Sequence, residues 1–480
     1  MTTLCQGLPP LTARTEPWME RLLTDPDVCA GLLARYGSPV NLLDFTALSA
    51  HLTELVSAAK QAGIAMRPYV ARKANKASAL VTAAVAAGAG IDVASPEELR
   101  QSMDLGVPGS DIIVSAAVKD RELMDLALGC GATVSLDNLD EVALLTAAAH
   151  RRGLPAHVAL RLAVTHPSVP PTRFGLSAAQ WQEQARWFDS AINVEGVHFH
   201  LNGYSRDERA VALSEACLLV DELREQGHRV GYIDMGGGIP MSYLDDESQW
   251  RAFWRALEMD TDRKVTWHGD RLGMTDSGAD RPSAELYPFW QREVRGAWLS
   301  ALLTTEVGGS TPARLLTERG LELRCEPGRS VLDGCGVTLA EVAFRKETSD
   351  RVPLVGLRMN RTQLRSTSSD VLLDPRWVRP RSAGDPSPAT EAFLVGAYCI
   401  EEEILLRRRI SFPRGVAVGD VCVFINTAGY LMHILESTSH QLPLAQNLVH
   451  GHDGWLPDTP PGPSSTDRSP MSMSSSRRRR

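Results

Sequence analysis

Nothing in this chain marks a metal centre, a disulfide framework or a membrane span. Its eight cysteines, at 5, 29, 130, 217, 325, 335, 399 and 422, include no CxxC pair and no metal-ligand spacing. No uninterrupted apolar stretch reaches the roughly 20 residues that a spanning helix needs. The stretch Met1–Cys5 is not a basic segment leading into an apolar one, so no secretory signal is expected. An excess of positive charge is missing too. The formal charge of −8 excludes a general nucleic-acid binder, which needs a basic face to neutralise phosphates. Scattered thiols of this kind fit a reducing compartment, and a cytoplasmic protein with neither membrane nor nucleic acid as partner is expected.

What is present is a chain of 480 residues, long for one domain, so two are expected. From about residue 65, short apolar runs alternate with amphipathic stretches of period near 3.6. The runs are Arg67–Ala71, Gly90–Ala94, Asp111–Ser115, Ala132–Leu136, His157–Val164, Val194–Leu201, Val230–Met235 and Leu321–Cys325. Helical patterns such as Pro96–Leu105, Arg121–Leu128, Asp140–His150 and Val211–Gln226 lie between most of them. Parallel strands need such crossovers, and eight close most economically into an α/β fold, the (β/α)8 TIM barrel. Its active site belongs at the C-terminal strand ends. Chemistry-bearing residues do collect there: Lys73 follows the first run, Asp92 lies in the second and Arg161 in the fifth. His200 closes the sixth, Gly236–Gly238 the seventh and Glu326 the eighth.

The barrel is expected to span 45–329, with an insertion near 241–310. Trp250, Trp254 and Trp267 make that insertion a folded element, either a lid on the barrel mouth or packing on its exterior. After Arg329 the pattern changes. Val337–Phe344, Val352–Met359, Ala392–Cys399, Glu402–Ile410, Asp420–Asn426 and Leu431–Leu435 read as strands without a clear helix, making 330–456 a C-terminal all-β domain. Ser366–Ala389 reads as a long loop within it. Residues 1–44 form an N-terminal segment, with packing on the β domain as one option. The Pro/Ser-rich stretch 457–480, ending in Arg477–Arg480, lacks apolar residues for a core and is expected to be a disordered tail.

Pyridoxal 5'-phosphate (PLP) makes four demands that these residues meet. Its aldehyde needs an amine to hold it as a Schiff base, which Lys73 supplies, with desolvation expected to lower the amine's pKa. Its ring nitrogen needs a carboxylate to stabilise a proton, and Glu326 is the candidate. Its phosphate needs backbone donors and a cation, for which Gly236, Gly237, Gly238 and Arg329 are placed. Its ring needs a flat partner, and His200 suits. Each residue alone has a dull reading: a solvated lysine, a glycine turn, a core histidine pair at His198 and His200. Their order and spacing favour the joint reading.

At these motifs the chain resembles the fold-type III PLP-dependent decarboxylases, which include diaminopimelate and ornithine decarboxylases. The resemblance runs from about residue 40 to 450. It is carried by Lys73-Ala74-Asn75, Phe199-His200, Asp234–Gly238, Glu326–Arg329, Val395-Gly396 with Cys399, and Gly429-Tyr430. It implies a PLP-binding, alanine racemase-like barrel in a homodimer with active sites at the interface. By this resemblance Lys73 carries the cofactor, His200 stacks on its ring and Glu326 meets the ring nitrogen. Gly236–Gly238, Arg329 and Tyr430 contact the phosphate, and Asp92 and Arg161 order the lysine and its neighbours. Cys399 reaches in from the partner chain to protonate the α-carbon.

Two departures bear on substrate. Where the family places a phosphate-binding serine this chain has Gly203, with Asn202 and Ser205 as substitutes. Where the family places an acid after the cysteine, to meet a distal amine, it has Ile400, followed by Glu401, Glu402 and Glu403. Arg361 and Arg365 lie near the family's substrate-binding arginine. With Glu401 they are the candidate substrate contacts, though both arginines read equally as surface charge. The expectation is a decarboxylase of a diamino, acidic or modified amino acid, with Lys73, Cys399 and His200 as catalytic residues. An amino-acid racemase, or a catalytically silent regulator of the same fold, is the alternative.

Overall fold

The computed structural model describes residues 4–273, 287, 289–366, 371–451 and 454–459. Eight parallel strands form a closed barrel: Met66–Ala71, Gly90–Val93, Ile112–Val114, Thr133–Leu136, Ala156–Arg161, Ile192–His198, Tyr232–Asp234 and Glu322–Cys325. The eighth pairs with the first and closes the ring. These strands read as apolar runs because both faces are covered, as with Ile112, Ile113 and Val114, none of which is accessible to solvent. The intervening helices carry ordinary start and stop signals. Asp120 and Asn138 accept backbone N–H groups at the starts of Arg121–Cys130 and Leu139–Arg152. Gly131 and Gly153 then end those helices at φ 74° and 63°, a left-handed conformation that suits glycine, and turn the chain toward the next strand.

A second, mixed sheet lies beside the barrel. Its strand order is Gln6–Gly7, Ile404–Phe412, Thr390–Val395, Pro353–Leu357, Gly336–Glu347, Val40–Leu43, Gln446–Gly451 and Gly454–Pro457. Val421–Ile425 pairs with Gly336–Glu347 and with Arg376–Val378. Val40–Leu43 is an interior strand here, antiparallel to Gly336–Leu339 and parallel to Gln446–Val449. All four of its side chains are buried.

Several expectations change. The run 431–435 forms turns, with the Met432 N–H on Thr427 O and the Ile434 N–H on Tyr430 O. Its apolar character reflects the burial of Leu431 and Met432, not a strand period. The strand at 392 ends at Val395, so Cys399 stands in a turn. The expected loop 366–389 contains the strand Arg376–Val378, while residues 367–370 of it lie outside the described residues.

The described part of the insertion divides between the β domain's core and the barrel exterior, the second of which was one of the two expected places. Helix Glu247–Glu258 puts Trp250, Phe253, Trp254 and Leu257 on one side, and these join Trp377, Leu406 and Phe412 in the β domain's core. The helix Arg295–Thr304, by contrast, packs against Thr46–Gln61 and Arg206–Glu225 as part of the barrel's outer ring. Order also extends past 457, because Asp458 accepts the Ser78 and Ala79 N–H groups at 2.7 and 3.1 Å. The rest of the expected tail, 460–480, lies outside the described residues.

Candidate active site

Lys73 leaves the first strand on the short turn Arg72–Ala74. Its Nζ donates to Asp92 Oδ2 at 2.7 Å, and Ser115 donates to the other Asp92 oxygen. The expected downward pKa shift is not what this geometry produces. Burial does press the ammonium toward neutrality, but Asp92, with Glu326 and Tyr430, outweighs it and raises the pKa. An isolated buried lysine would go the other way.

Below Lys73, three buried groups meet at the ends of the sixth, seventh and eighth strands. His198 Nδ1 lies 2.6 Å from Ser135 Oγ, and its Nε2 lies 3.5 Å from Glu326 Oε1. Asp234 Oδ1 accepts the Gly236 N–H at 2.8 Å. Glu326 Oε1, His198 Nε2 and Asp234 Oδ2 have no hydrogen-bond partner among the described residues. Burial, then Asp92 and Asp234, push the Glu326 carboxyl well above its ordinary pKa. Burial raises Asp234 to about 7, and burial with Arg161 nearby drives His198 well below its usual value. Arg161, at the end of the fifth strand, is buried 3.4 Å from Asp137 Oδ1 and 4.1 Å above the Phe174 ring.

The glycine turn follows the seventh strand. Gly236 and Gly238 sit at φ 66° and 74°. A Cβ on Gly236 would meet the His200 ring at 2.9 Å, and one on Gly238 would meet Gly203 O at 2.8 Å. Only glycine lets these loops approach so closely. His200 lies two residues beyond its strand, packed over this turn, and burial with Lys73 nearby lowers its pKa to about 3. The ring is therefore neutral at neutral pH. Nothing in the sequence pattern singles out Arg209. From the helix Arg206–Glu225, capped by Ser205, its Nη2 donates to Gly203 O, Gly237 O and Gly238 O at 3.2, 2.9 and 3.1 Å. One fully buried guanidinium thus holds both loops by their carbonyls. Ser205 is occupied with the cap, while Asn202 faces the cavity.

Arg329 and Tyr430 close the opposite wall. Arg329 donates to Tyr243 Oη and Gly429 O at 3.3 Å and to Ser366 Oγ at 3.2 Å, and lies 4.5 Å from the Tyr287 ring. Tyr243 and Tyr287 come from the insertion, which therefore orders this arginine. Tyr430 adopts φ 70° and donates its N–H to Ala74 O, tying the β domain to the lysine turn. Lys73, His200, Gly237, Gly238, Glu326, Arg329 and Tyr430 line one cavity of about 300 Å³. Asp92, Arg161 and Gly236 stand behind this lining.

The remaining candidates lie elsewhere in the chain. Cys399 is exposed in the turn after Val395, outside the cavity. Arg361 donates to Glu402 O at 2.8 Å, and its N–H donates to Glu403 Oε1 at 2.8 Å. Arg365 is half-buried in the adjoining segment. Glu401 and Ile400 are exposed, and of the three glutamates only Glu403 is buried. Glu402 and Glu403, expected to open a strand, instead occupy the turn before Ile404–Phe412.

Residues 49–266 match the pyridoxal-binding domain of pyridoxal-dependent decarboxylases. An uncharacterized protein of Sinorhizobium fredii, y4yA, is 30% identical over 485 residues, covering 96% of this chain and 99% of that protein. The diaminopimelate decarboxylase of Zymomonas mobilis is 24% identical, covering 88% and 90%. In fold, the chain matches the diaminopimelate decarboxylase of M. jannaschii with a TM-score of 0.68 at 18% identity, covering 89% and 91%. The Helicobacter pylori enzyme, solved with L-lysine, gives 0.66 at 17% identity, covering 89% and 95%. The matched domain carries Lys73, His200 and the glycine turn. The chain belongs to the fold-type III pyridoxal-dependent decarboxylase family, as a divergent member.

Proposed function

We propose that this protein decarboxylates an amino acid with PLP, as a homodimer in which each chain completes the other's site. The observation that carries this reading is the cavity itself. It joins an amine at Lys73, a buried carboxyl at Glu326 whose Oε1 has no hydrogen-bond partner among the described residues, and a glycine turn that a Cβ would block. Those features fit an aldehyde, a ring nitrogen and a phosphate respectively. When bound, the cofactor supplies an aldehyde for an amino group and a protonated ring that takes up the electron pair left as CO2 departs.

Lys73 holds the cofactor, and Asp92 orients its amine through the hydrogen bond it accepts. Glu326 would meet the ring nitrogen and supply the carboxyl that stabilises a proton there. Its burial beside Asp234 favours a protonated carboxyl until a basic partner arrives. His200 offers a neutral ring as the stacking surface. Gly237, Gly238, Arg329 and Tyr430 bind the phosphate, with Arg209 fixing the loops behind them. Arg161 supports the Glu326 end from the fifth strand. Cys399 serves the second copy's cavity and delivers a proton to the α-carbon, with Arg361, Arg365 and Glu401 as substrate contacts on the same face. With Ile400 in the turn, a carboxylate or modified side chain fits that face better than a bare ammonium group.

Mass spectrometry of the PLP-loaded protein in D2O with a panel of diamino, acidic and modified amino acids tests this. Loss of CO2 with gain of one deuterium at carbon supports it. Exchange at the α-carbon with the carboxylate retained would replace it with a racemase, and an unchanged panel would leave a binding protein.

A further inference from the structure

Cys399 Sγ lies 3.2 Å from His440 Nε2. Two separate turns make this contact. Cys399 stands between the strands Thr390–Val395 and Ile404–Phe412, and His440 occupies the one-turn helix Ser439–Gln441. His440 and Gln441 hold φ values of 59° and 56°, left-handed backbone that side-chain-bearing residues adopt at a cost. Two more contacts set the ring. It lies flat on Tyr398, with centroids 4.7 Å apart and planes at 14°, and its Nδ1 is 3.2 Å from Ser439 Oγ. Tyr398 is itself buried, with its hydroxyl 3.4 Å from Ser437 O. A surface histidine with no task needs none of these constraints.

We propose that His440 is a positioning residue that orients the Cys399 thiol and returns its proton after each turnover. This rests on the reading of Cys399 as the proton donor. When the thiol protonates the α-carbon, its S–H bond breaks, a C–H bond forms and the sulfur keeps the electron pair. The imidazolium form of His440 then gives its Nε2 proton to the sulfur, and the neutral ring recovers one from water. Charge balances: CO2 leaves and one solvent proton is consumed, with no oxidant or reductant involved. Imidazole suits this task because it exchanges protons near neutrality. The titratable groups around the pair are Tyr398 beneath the ring, Glu401 and Glu402 in the Cys399 turn, Glu403 with Arg361 behind Tyr398, and Glu436 on the histidine's own segment.

The test uses the full-length protein and its His440→Gln and His440→Ala variants. The first readout needs no cofactor: the rate at which iodoacetamide alkylates Cys399, followed by peptide mass. There an S–C bond forms, iodide leaves and the thiol proton passes to Nε2. Both variants are expected to react about tenfold more slowly, with added imidazole restoring the alanine variant. The second readout is turnover, where kcat falls while KM holds and imidazole again rescues. Unchanged alkylation in both variants overturns the proposal. If the wild type decarboxylates nothing, the functional reading fails and takes the relay with it. If the wild type decarboxylates and both variants match its kcat, this inference alone fails.

Discussion

Lys73 Nζ and Asp92 Oδ2 stand 2.7 Å apart, with the carboxylate closed off from water and the amine open to the cavity. The pair explains why this lysine is held charged in the cofactor-free protein despite its burial. A lysine whose pKa is raised on folding contributes stability in full below its unfolded value, and that contribution disappears as pH rises through the folded one. Asp92→Asn is therefore expected to cost about 1–3 kcal/mol at pH 7, allowing for screening of the open amine, and less at strongly alkaline pH. Urea unfolding of both proteins at the two pH values checks this.

Lys73→Ala is expected to leave no covalent attachment of the cofactor. Borohydride reduction of the loaded wild type should leave added mass on the peptide that contains Lys73, and the variant should show none. Added mass on another lysine peptide of the wild type would displace Lys73 from its role.

Asp234 gives a pH dependence of the same sign in a lower pH window. Its pKa rises on folding to about 7, mainly through burial. The native state therefore binds the extra proton, and this group's contribution weakens as pH climbs from about 4 through 7. Asp234→Asn keeps an acceptor for the Gly236 N–H and removes the titration. The wild type should lose stability relative to the variant between pH 5 and 8, by an amount on the order of a few kcal/mol. Paired thermal melts across that range measure it.

Arg209→Met should loosen cofactor binding without touching the cofactor. The change strands three carbonyls that one guanidinium now satisfies, at about 1–3 kcal/mol for each one left buried and unpaired. Gly238→Ala attacks the same turn from the other side, since its φ of 74° and the nearby Gly203 O leave no room for a Cβ. Both variants should bind PLP more weakly by absorbance titration, with the arginine variant also melting earlier.

Asp458→Ala removes the side chain that caps the Ser78–Ala86 helix, just past the lysine turn. A lost cap of this kind costs about 1 kcal/mol. A melting temperature matching wild type would show that the contact is idle.

The barrel was legible because strands covered on both faces leave apolar runs, and because such a barrel gathers its chemistry at one end. Lys73, Asp92, Arg161, His200 and Glu326 could be placed for that reason alone. What stayed hidden depends on partners distant in sequence. Arg209 reads as a charge on an amphipathic helix, and nothing local says that it turns inward to three carbonyls. Trp250 and Trp254 announce burial but not against which domain. Leu431 looks like strand because burial in a turn and burial in a sheet select the same residues. The direction of the Lys73 shift turned on a carboxylate 19 residues away, on the neighbouring strand.

Val40–Leu43 lies between Gly336–Leu339 and Gln446–Val449. During synthesis this strand leaves the ribosome about 290 residues ahead of Gly336, where the first of its flanking partners begins. At roughly 5–20 residues per second, a buried apolar segment waits some tens of seconds with both edges unpaired. The barrel can assemble in that interval, but the β domain cannot close. Such distant pairings slow folding and expose the unfinished chain to association. High-yield expression is therefore expected to respond to lower temperature and to chaperone supply more than to changes within the barrel.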